Sequence, residues 1–439
     1  MKSQIMKPHL AHFIRQTAPR WLGTALWIAT LLVTAPAWAE QPGNHWVATW
    51  TASPQRVWRA GFVLPTRVPE SLHDQTVRQV VRISLGGQRV RLVFSNTYGT
   101  QPIQLGAASV AVVGAATHPL LFDGKPVARI APGATLISDP LDLPVPALAR
   151  LVVNLYLPRP TPLTTFHWDG RETAWIMPGN QTTSAQPEKD ETAGVQSTSA
   201  RILLSDILIE TPQPARTVAI IGDSITDGAA ASLNADTRWP DALAERLAPH
   251  GIAVINAGIS GGRLLADGMG ESALVRFERD VLAQPGVDTV IVLIGINDIS
   301  WPGTAFAPQA RRPPSAMLTA GYTQLVRQAH LHGVRVIGAT LTPFAGALPG
   351  TPLDNYYQPE KDALRQQVNA WIKTSHTFDA VIDFDALMQD PANPLHLKAA
   401  YDSGDHLHPG DAGNKAMAAA VDINALLAAP DPDVIGKTR

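Results

Sequence analysis

The sequence predicts two structural parts, an antiparallel β-sandwich followed by an α/β part built on a parallel sheet. Between residues 45 and 210, short apolar segments are separated by turns rich in proline and glycine, and no long helical period appears. From about residue 217 onward, apolar strand segments alternate with helical segments, which indicates a parallel sheet with helices on both faces. The proline-rich joint at residues 211–214 lies between the two patterns.

The composition is that of a folded, multidomain chain. Of the 439 residues, 45% are hydrophobic and 16% are charged, which excludes a disordered chain. At roughly 100–200 residues per domain, two or three domains are expected. Cysteine is absent, so the chain has no disulfide framework, no thiolate nucleophile and no cysteine metal site.

Residues 1–39 have the pattern of a secretory signal peptide. Four basic residues and no acid precede an uncharged run at 21–39, which ends in Ala37-Trp38-Ala39, a small-x-small cleavage pattern. An uncleaved membrane anchor is the alternative, which Gly23 and Pro36 weaken. We therefore expect a secreted or periplasmic protein with no stable membrane anchor after cleavage.

The charge of the remaining chain excludes one class of partner. Without residues 1–39, the chain has 31 basic against 37 acidic residues, a formal net charge of −6. A mildly acidic protein has no electrostatic reason to bind nucleic acid.

The first part, residues 40–212, is assigned to a β-sandwich accessory domain. Its strongest strand segments are 76–83 and 89–93, and the second alternates basic and apolar residues, as a half-buried strand does. The turn at residues 85–88 predicts that these two strands form a hairpin. Further strands are predicted at 109–113 and 151–157.

The second part, residues 213–430, carries the strand and helix alternation, and residues 431–439 are predicted to be a tail. In parallel sheets of this kind, chemistry gathers at the carboxyl ends of the strands. The predicted strands are 217–221, 252–255, 289–294, 334–341 and 380–382, and the predicted helices are 240–247, 272–282, 316–332, 360–373 and 411–427.

Two serines follow strand ends and are candidate nucleophiles. Ser224 comes directly after the first predicted strand, beside Gly222, although Asp and Ser are also the residues that cap helices. Ser260 lies in residues 258–262, which match the G-x-S-x-G nucleophile elbow. The sequence alone leaves Ser260 as a rival to Ser224.

Other polar groups at predicted loop positions complete a set suited to acyl transfer. The Asn297 amide can donate to an oxyanion, or it can form an ordinary Asx turn. His408 can act as a general base, with Asp405 fixing its tautomer. Asp405, His406 and His408 could instead bind a metal, but no further ligand is evident, and we expect no metal site. A nucleophile, a base, an orienter and oxyanion donors are what acyl transfer needs.

These segments, in this order, resemble the four blocks of the SGNH hydrolases, also called GDSL esterases. They stand here at residues 222–225 (with Ile225 in place of the usual Leu), 256–261, 295–298 and 405–408. The resemblance covers residues 217 to about 429 and implies a flavodoxin-like, three-layer α/β/α domain that needs no cofactor. The first part, from the segment at residues 46–50, resembles the extra β domain of secreted xylan-esterase-like members.

The resemblance also implies roles for individual residues. Ser224 would be the nucleophile, with His408 and Asp405 completing the triad. The oxyanion hole would combine the Ser224 N–H, the Gly261 N–H and the Asn297 amide. Ser260 would then be a loop residue.

The substrate is expected to be a short-chain acyl ester, such as an acetyl ester on a polysaccharide. Residues 302–318 and 344–357 follow strand ends and are expected to shape the pocket. No long apolar lid is visible, which argues against long-chain fats. The candidate lining residues are Trp301, Phe344, Tyr356 and Tyr357.

Three alternative functions remain open at this point. An acyltransferase would use the same site, a carbohydrate-binding protein would have an inactive hydrolase fold, and a phosphoesterase would depend on a metal. Exposed tryptophans in the first part could stack on sugar rings, whereas buried ones would belong to the core. The tryptophans concerned are Trp46, Trp50, Trp58, Trp168 and Trp175.

Overall fold

The computed structural model describes residues 45–58, 61–184, 194–212 and 214–428. The predicted signal peptide and the predicted tail at 431–439 lie outside these ranges. Strands of the first part are β1 (His45–Thr51), β2 (Gln55–Arg56), β3 (Ser71–Leu72), β4 (Gln75–Arg82), β5 (Gly87–Ser95), β6 (Ile103–Leu105), β7 (Ala107–Val112), β8 (His118–Pro119), β9 (Ala128–Ile130), β10 (Thr135–Ile137), β11 (Leu141–Val145), β12 (Arg150–Leu157), β13 (Thr161–Pro162), β14 (Thr165–His167), β15 (Ala174–Pro178), β16 (Gln196–Thr198), β17 (Arg201–Ile202) and β18 (Leu204–Thr211).

Two antiparallel sheets face each other in the first part, as predicted for a sandwich. One has the order β1-β18-β5-β10, with β11 also on β5, and the other has the order β16-β15-β4-β12-β7-β8. Leu92 and Phe94 of the first sheet share a core with Leu151, Val153 and Leu155 of the second. These residues stand at every second position of their strands, so one face of each sheet is turned toward the other.

The predicted hairpin between residues 76–83 and 89–93 is wrong. Strand β4 pairs with β12 and β15, whereas β5 pairs with β18, β10 and β11, so the two strands lie in opposite sheets. Their apolar side chains, including Val77 and Val81 of β4 and Val90 and Leu92 of β5, meet in one core. The connection crosses the sandwich because the apolar faces of the strands bury more surface face to face than side by side.

The second part is built on a five-stranded parallel sheet. Its strands are β19 (Arg216–Gly222), β20 (Ile252–Gly258), β21 (Val287–Leu293), β22 (Arg335–Ala339) and β23 (Ala380–Ile382), and a small antiparallel pair is formed by β24 (Gln389–Asp390) and β25 (Asn393–Leu397). The order in the sheet is β20-β19-β21-β22-β23. This order is the flavodoxin-like one, in which the direction of strand addition reverses at the first strand, so that β20 lies on one side of β19 and β21 on the other.

Helices cover this sheet in two groups, as expected for layers on its two faces. They are α1 (Ser224–Asp227), α2 (Trp239–Leu247), α3 (Ala273–Phe277), α4 (Ile296–Ser300), α5 (Ser315–Leu331), α6 (Pro359–Thr374), α7 (Phe384–Met388), α8 (Asp411–Ala420) and α9 (Ile423–Leu427), with a 3₁₀ turn at Ala248–His250 and a π turn at Glu278–Leu282. Helix α8 contacts both α2 and α7, whereas α5 contacts both α3 and α6.

The helix predicted at 411–427 is two helices in the structure. Helix α8 ends at Ala420, and Val421 has an extended backbone with φ −70° and ψ 121°. The Asp422 carboxylate then accepts a hydrogen bond from the Asn424 N–H at 2.9 Å and caps α9. The chain breaks here because an aspartate side chain offers the backbone an alternative to the helical hydrogen bond.

The two parts share an interface that begins at β1. The Thr217 hydroxyl donates to the Ala48 carbonyl at 3.0 Å, and the Val254 N–H donates to the Ser84 hydroxyl at 2.9 Å. Ala48 belongs to the core around the parallel sheet, and Ala253 belongs to the core of the sandwich. The part of the chain that the structure describes therefore packs as one unit. No helix within it combines the length and the apolar character needed to cross a membrane.

Candidate active site

Ser224 lies where strand β19 ends and the chain turns into helix α1. The Asp223 side chain caps this helix by accepting a hydrogen bond from the Ile225 N–H at 3.1 Å. A Cβ on Gly222 would lie 2.2 Å from the Thr226 hydroxyl oxygen, so the turn is too tight for a side chain there. Because Asp223 performs the capping, the hydroxyl of Ser224 remains free for another partner.

That partner is His408, which comes from the segment just before helix α8. Its Nε2 lies 2.8 Å from Ser224 Oγ, and its Nδ1 lies 2.6 Å from Asp405 Oδ2. A carboxylate only accepts hydrogen bonds, so Nδ1 carries the proton and Nε2 of the neutral ring can accept from the hydroxyl. The structure thus brings Ser224, His408 and Asp405 together in the arrangement that general-base activation of a serine requires.

Asp405 is held as a carboxylate by its surroundings. Burial favours its neutral form, but the hydrogen bond and charge of His408 and two backbone N–H groups outweigh that effect. These donors are the N–H groups of Leu407 at 2.9 Å and His408 at 2.8 Å. They hold the pKa of Asp405 well below its usual range. The side chain that orients the histidine is therefore charged at neutral pH.

Asn297 is fixed in one orientation at the start of helix α4. Its Nδ2 lies 3.0 Å from the Gly262 carbonyl oxygen, and its Oδ1 accepts from the Tyr356 hydroxyl at 2.7 Å. A carbonyl can only accept, so the amide nitrogen must be the atom that faces Gly262. The second proton of Nδ2 remains for another acceptor. The sequence had suggested Tyr356 only as a pocket aromatic, and its hydroxyl contact with Asn297 was not predicted.

Two backbone N–H groups lie in the same cleft as Ser224 and Asn297. Gly261 has φ +73°, and a Cβ there would lie 2.6 Å from both Met269 Sδ and Trp301 Cζ2. Among the residues that the structure describes, no protein group accepts a hydrogen bond from the N–H of Gly261 or Ser224. The predicted oxyanion donors therefore have N–H groups to offer to a bound ligand.

These groups line a cleft of about 500 Å³ with mostly apolar walls. Of the four aromatic residues predicted to line the pocket, Trp301 and Tyr356 do so. Both parts of the chain contribute to the walls. The apolar side chains are those of Val63, Leu64, Trp168, Ala229, Ala230, Met269, Trp301, Phe306, Leu348, Pro352, Leu353, Tyr356 and Leu407.

The predictions for Phe344 and Tyr357 are wrong, because neither side chain lines the cleft. Phe344 is fully buried, and its ring packs edge-on against Tyr356 at 6.0 Å and against Tyr357 at 5.3 Å between ring centroids. These two rings support the cleft wall from behind. The sequence placed the segment near the site but could not tell which of its side chains face the cleft.

Ser260 also lines the cleft, but its hydroxyl is hydrogen-bonded to Asp227. Its Oγ donates to Asp227 Oδ2 at 2.7 Å, and its N–H donates to the same oxygen at 2.8 Å. The other oxygen of Asp227 contacts His167 Nε2 at 2.9 Å. His408, the candidate base, faces Ser224 rather than Ser260.

His406 does not join Asp405 and His408 in a metal-binding group. Its Nδ1 lies 2.5 Å from Asp402 Oδ2, and its side chain is 45% exposed. Within the described ranges, no group of three or more histidine, cysteine or acidic side chains is arranged to hold a metal ion. Asp405 and His408 are instead paired with each other.

The five tryptophans of the first part offer no fully exposed ring. Trp50 and Trp175 are buried, and the other three are partly buried. Trp58 packs against Trp168 at 5.6 Å between ring centroids, and Trp168 lines the cleft. Trp168 therefore belongs to the wall of the site rather than to a separate sugar-stacking surface.

Comparison with known proteins places the candidate site within a family domain. Residues 220–416 match the model of the GDSL-like lipase/acylhydrolase family. This match includes Ser224, Gly261, Asn297, Asp405 and His408. No curated protein matches the chain in sequence.

Several solved structures are similar to about half of the chain. A GDSL-like lipase from Bacteroides thetaiotaomicron is 19% identical, with a TM-score of 0.35, over 48% of this chain and 87% of its own. The aryl esterase of M. smegmatis is 18% identical, with a TM-score of 0.39, over 48% and 99%. The acetyl xylan esterase AlAXEase is 19% identical, with a TM-score of 0.34, over 46% and 96%.

Proposed function

We propose that this carboxylic ester hydrolase, whose residues 220–416 form a domain of the GDSL-like lipase/acylhydrolase family, removes short acyl groups through an acyl-enzyme on Ser224. The observation that carries the proposal is the continuous chain of contacts from Ser224 Oγ through His408 to Asp405, at 2.8 Å and 2.6 Å. Acetyl is the acyl group we expect first. The protein acts after export, once residues 1–39 have been removed.

The first half of the reaction acylates the serine. His408 Nε2 takes the hydroxyl proton as Ser224 Oγ forms a bond to the ester carbonyl carbon. The negative oxygen accepts hydrogen bonds from the N–H groups of Ser224 and Gly261 and from the Asn297 amide. The carbon–oxygen bond to the alcohol then breaks, and the alcohol leaves with the proton from His408. General-base catalysis of this type contributes about 10²–10⁴-fold.

The second half releases the acyl group to water. A water molecule gives a proton to His408 and attacks the acyl carbon, again with the negative oxygen in the oxyanion site. The bond to Ser224 Oγ breaks, and the serine regains its proton from His408. The acid is released, and no metal or organic cofactor takes part in this proposal.

The cleft supports a small ester with an apolar alcohol. Its volume of about 500 Å³ suits a ligand of modest size, and its walls are mostly apolar. Apart from the proposed catalytic groups, the polar side chains lining it are those of Asp169, Ser260 and Thr351. Few groups are thus available for sugar hydroxyls, so an acetylated polysaccharide is the second substrate to test rather than the first.

The test uses residues 40–439 with p-nitrophenyl acetate, butyrate and dodecanoate and with acetylated xylan. We expect turnover of the short aryl esters, poor turnover of dodecanoate, and loss of turnover in Ser224→Ala. Ser260→Ala keeps the backbone hydrogen bond to Asp227 and should retain activity. Abolished turnover in a folded Ser260→Ala variant, or retained turnover in Ser224→Ala, would contradict the proposal.

Covalent labelling tests the nucleophile without relying on turnover. A fluorophosphonate probe should add its mass to the peptide that contains Ser224 and should fail to label Ser224→Ala. Addition of a sugar acceptor to the acetate assay separates hydrolysis from acyl transfer. Predominance of the acylated sugar would make the chain an acyltransferase with the same site.

A further inference from the structure

A buried histidine from the first part lies next to the loops of the candidate site. His167, the last residue of β14, is 4% exposed. Its Nδ1 lies 3.1 Å from the Ser53 carbonyl oxygen, and its Nε2 lies 2.9 Å from Asp227 Oδ1. No role for His167 is evident from the sequence, because neither partner is near it in the chain.

Both ring nitrogens of His167 face atoms that only accept hydrogen bonds. A backbone carbonyl has no proton to give, and an ionised carboxylate has none either. A neutral imidazole carries one N–H, so it could satisfy only one of these two contacts. We propose that His167 is a buried imidazolium that acts as a positioning residue for the esterase. It holds Asp227, and through Asp227 it holds the loop of Ser260 and Gly261, which we call the oxyanion loop. This inference rests on the proposed function.

Asp227 connects His167 to the candidate site, because it also contacts Ser260. Its Oδ2 accepts from both the N–H and the hydroxyl of Ser260, at 2.8 Å and 2.7 Å. The peptide bond that follows Ser260 carries the N–H of Gly261, a proposed oxyanion donor. Asp227 is also the last residue of α1, the helix that begins with Ser224. One carboxylate therefore links the nucleophile helix to the oxyanion loop.

The charges around the pair favour the imidazolium on balance. Burial opposes the charged ring, but the Asp227 charge, its hydrogen bond and the Ser53 carbonyl outweigh burial and the repulsion from Arg201, so the pKa of His167 is raised. Arg276 lies beyond Ser53, whose hydroxyl it contacts at 3.2 Å. Burial acts to raise the pKa of Asp227, but His167 and Ser260 outweigh burial and lower it, which keeps the carboxylate ionised.

Further charged groups face Asp227 from neighbouring elements. Burial opposes the charge of Arg238 at the start of α2, but Asp241 and Asp227 outweigh burial and stabilise this residue as a cation. Burial, with a smaller contribution from the Asp227 charge, raises the pKa of Asp223 to about 7. The pair thus sits among both signs of charge, with no second carboxylate in contact with His167 among the residues described.

The sign of the pH effect follows from the raised pKa of His167. The pair's contribution is complete below the ordinary histidine pKa of about 6.5 and is lost as pH rises through the raised value. Above that value, the ring keeps only one N–H for its two contacts, so it is held less firmly between Ser53 and Asp227 and its support of the oxyanion loop weakens. We therefore expect kcat to fall on the alkaline side.

The experiment compares kcat between pH 5 and 10 for the wild type and His167→Gln on p-nitrophenyl acetate. His330→Gln is the matched control, because His330 Nε2 also contacts a carboxylate, Asp379, at 3.0 Å, but away from the cleft. We expect His167→Gln to lower kcat by about 10- to 100-fold, as small displacements in a site do, with little change in KM. His330→Gln should keep the wild-type kcat.

The pH dependence of kcat distinguishes His167 from Lys361, another buried group that could titrate on the alkaline side. Burial lowers the pKa of Lys361 to about 8, and its ammonium donates to the carbonyls of Ser300 and Asn355 near the cleft. An alkaline fall caused by Lys361 would survive in His167→Gln, whereas one caused by His167 would disappear. Survival of the alkaline fall in a folded variant, or unchanged kcat, overturns the proposal.

Nitrogen NMR of the protein without substrate tests directly whether both ring nitrogens of His167 carry a proton. With ¹⁵N-histidine labelling and assignment of the ring through its contact with the Ser53 backbone, the wild type at pH 7 should show two N–H protons on this ring. A single N–H overturns the proposal even if the variant fails to fold. Ester turnover that persists in Ser224→Ala would instead reject the proposed function and leave the His167 measurement unaffected.

Discussion

Among the single residues of the candidate site, Asn297 is an amide that two hydrogen bonds hold in one orientation. Tyr356 donates to its oxygen and Gly262 accepts from its nitrogen, so the amide cannot flip without losing both contacts. Asn297 and Tyr356 are both almost fully buried. The remaining N–H is thereby held in place before a ligand arrives, which is what electrostatic stabilisation of an oxyanion requires.

We expect Asn297→Ala to lower kcat by about 10²–10³, with a small change in KM, because one oxyanion donor is lost. Asn369→Ala is the matched control, since Asn369 is a buried amide with two contacts, both to the Leu341 backbone at 2.8 Å. It should lower the free energy of unfolding by about 1–3 kcal/mol and leave kcat near the wild-type value. Equal kcat for both variants would argue against the role of Asn297.

Gly261 provides a second prediction for a single position. Gly261→Ala should lower kcat strongly, because its Cβ would press on Met269 and Trp301 and move the N–H donor. Gly251→Ala is the control, since Gly251 has a similar φ of +70° but nothing within 4 Å of the added atom. It should cost about 1–2 kcal/mol of stability and leave turnover unchanged. Steady-state kinetics and thermal denaturation distinguish the two effects.

Among the secondary-structure elements, the break between α8 and α9 depends on one side chain. Without a cap, the apolar pattern at 411–427 is compatible with one continuous helix, as the sequence predicted. The Asp422 carboxylate instead satisfies the Asn424 N–H and starts a new helix. Arg216 then donates to the carbonyls of Leu426 and Leu427 at 2.9 Å and 3.1 Å, which ties the end of α9 to β19.

Asp422→Ala should lower the free energy of unfolding by about 1 kcal/mol, as loss of a helix cap does. Lys415→Ala, at an exposed position of α8, should change it by less than about 0.5 kcal/mol. Guanidinium unfolding followed by circular dichroism measures both. An unchanged or increased stability of Asp422→Ala would show that the cap contributes nothing and that a continuous helix is tolerated.

Across the molecule as a unit, the first part supplies both walls and supports for the site. Trp168 and Leu64 line the cleft, and Gln55 joins the Trp168 N–H to the Met269 carbonyl with two hydrogen bonds of 2.8 Å. Arg276 spans the same junction, since it donates to the carbonyls of Ala257 and Gly222 and contacts Ser53. The first part therefore both lines the candidate site and is hydrogen-bonded to the loops around it.

Arg276→Met should lower the free energy of unfolding by about 1–3 kcal/mol, because the buried carbonyls of Ala257 and Gly222 lose their donor and Asp280 keeps only Arg279 as a partner. Arg82→Met is the control, since Arg82 also joins the two parts, through Glu245 at 2.9 Å, but Glu245 is 55% exposed. It should cost about 0–1 kcal/mol. Similar losses for both variants would contradict the importance given to the buried junction.

Local sequence patterns were enough to locate most elements of the second part and the candidate reactive groups in its loops. Apolar periodicity is a local property, so it located the strands of the parallel sheet and most helices within a few residues. The motifs also identified Ser224 and His408, whose side chains the structure brings to 2.8 Å. Their role as catalytic residues remains a prediction that the proposed variants test.

The contacts between distant side chains were settled by tertiary packing alone. It placed β4 and β5 in opposite sheets, turned Phe344 and Tyr357 away from the cleft, and brought His167 to Asp227. These outcomes depend on which faces bury against each other, and the free energy of burial is a property of the packed molecule rather than of any segment.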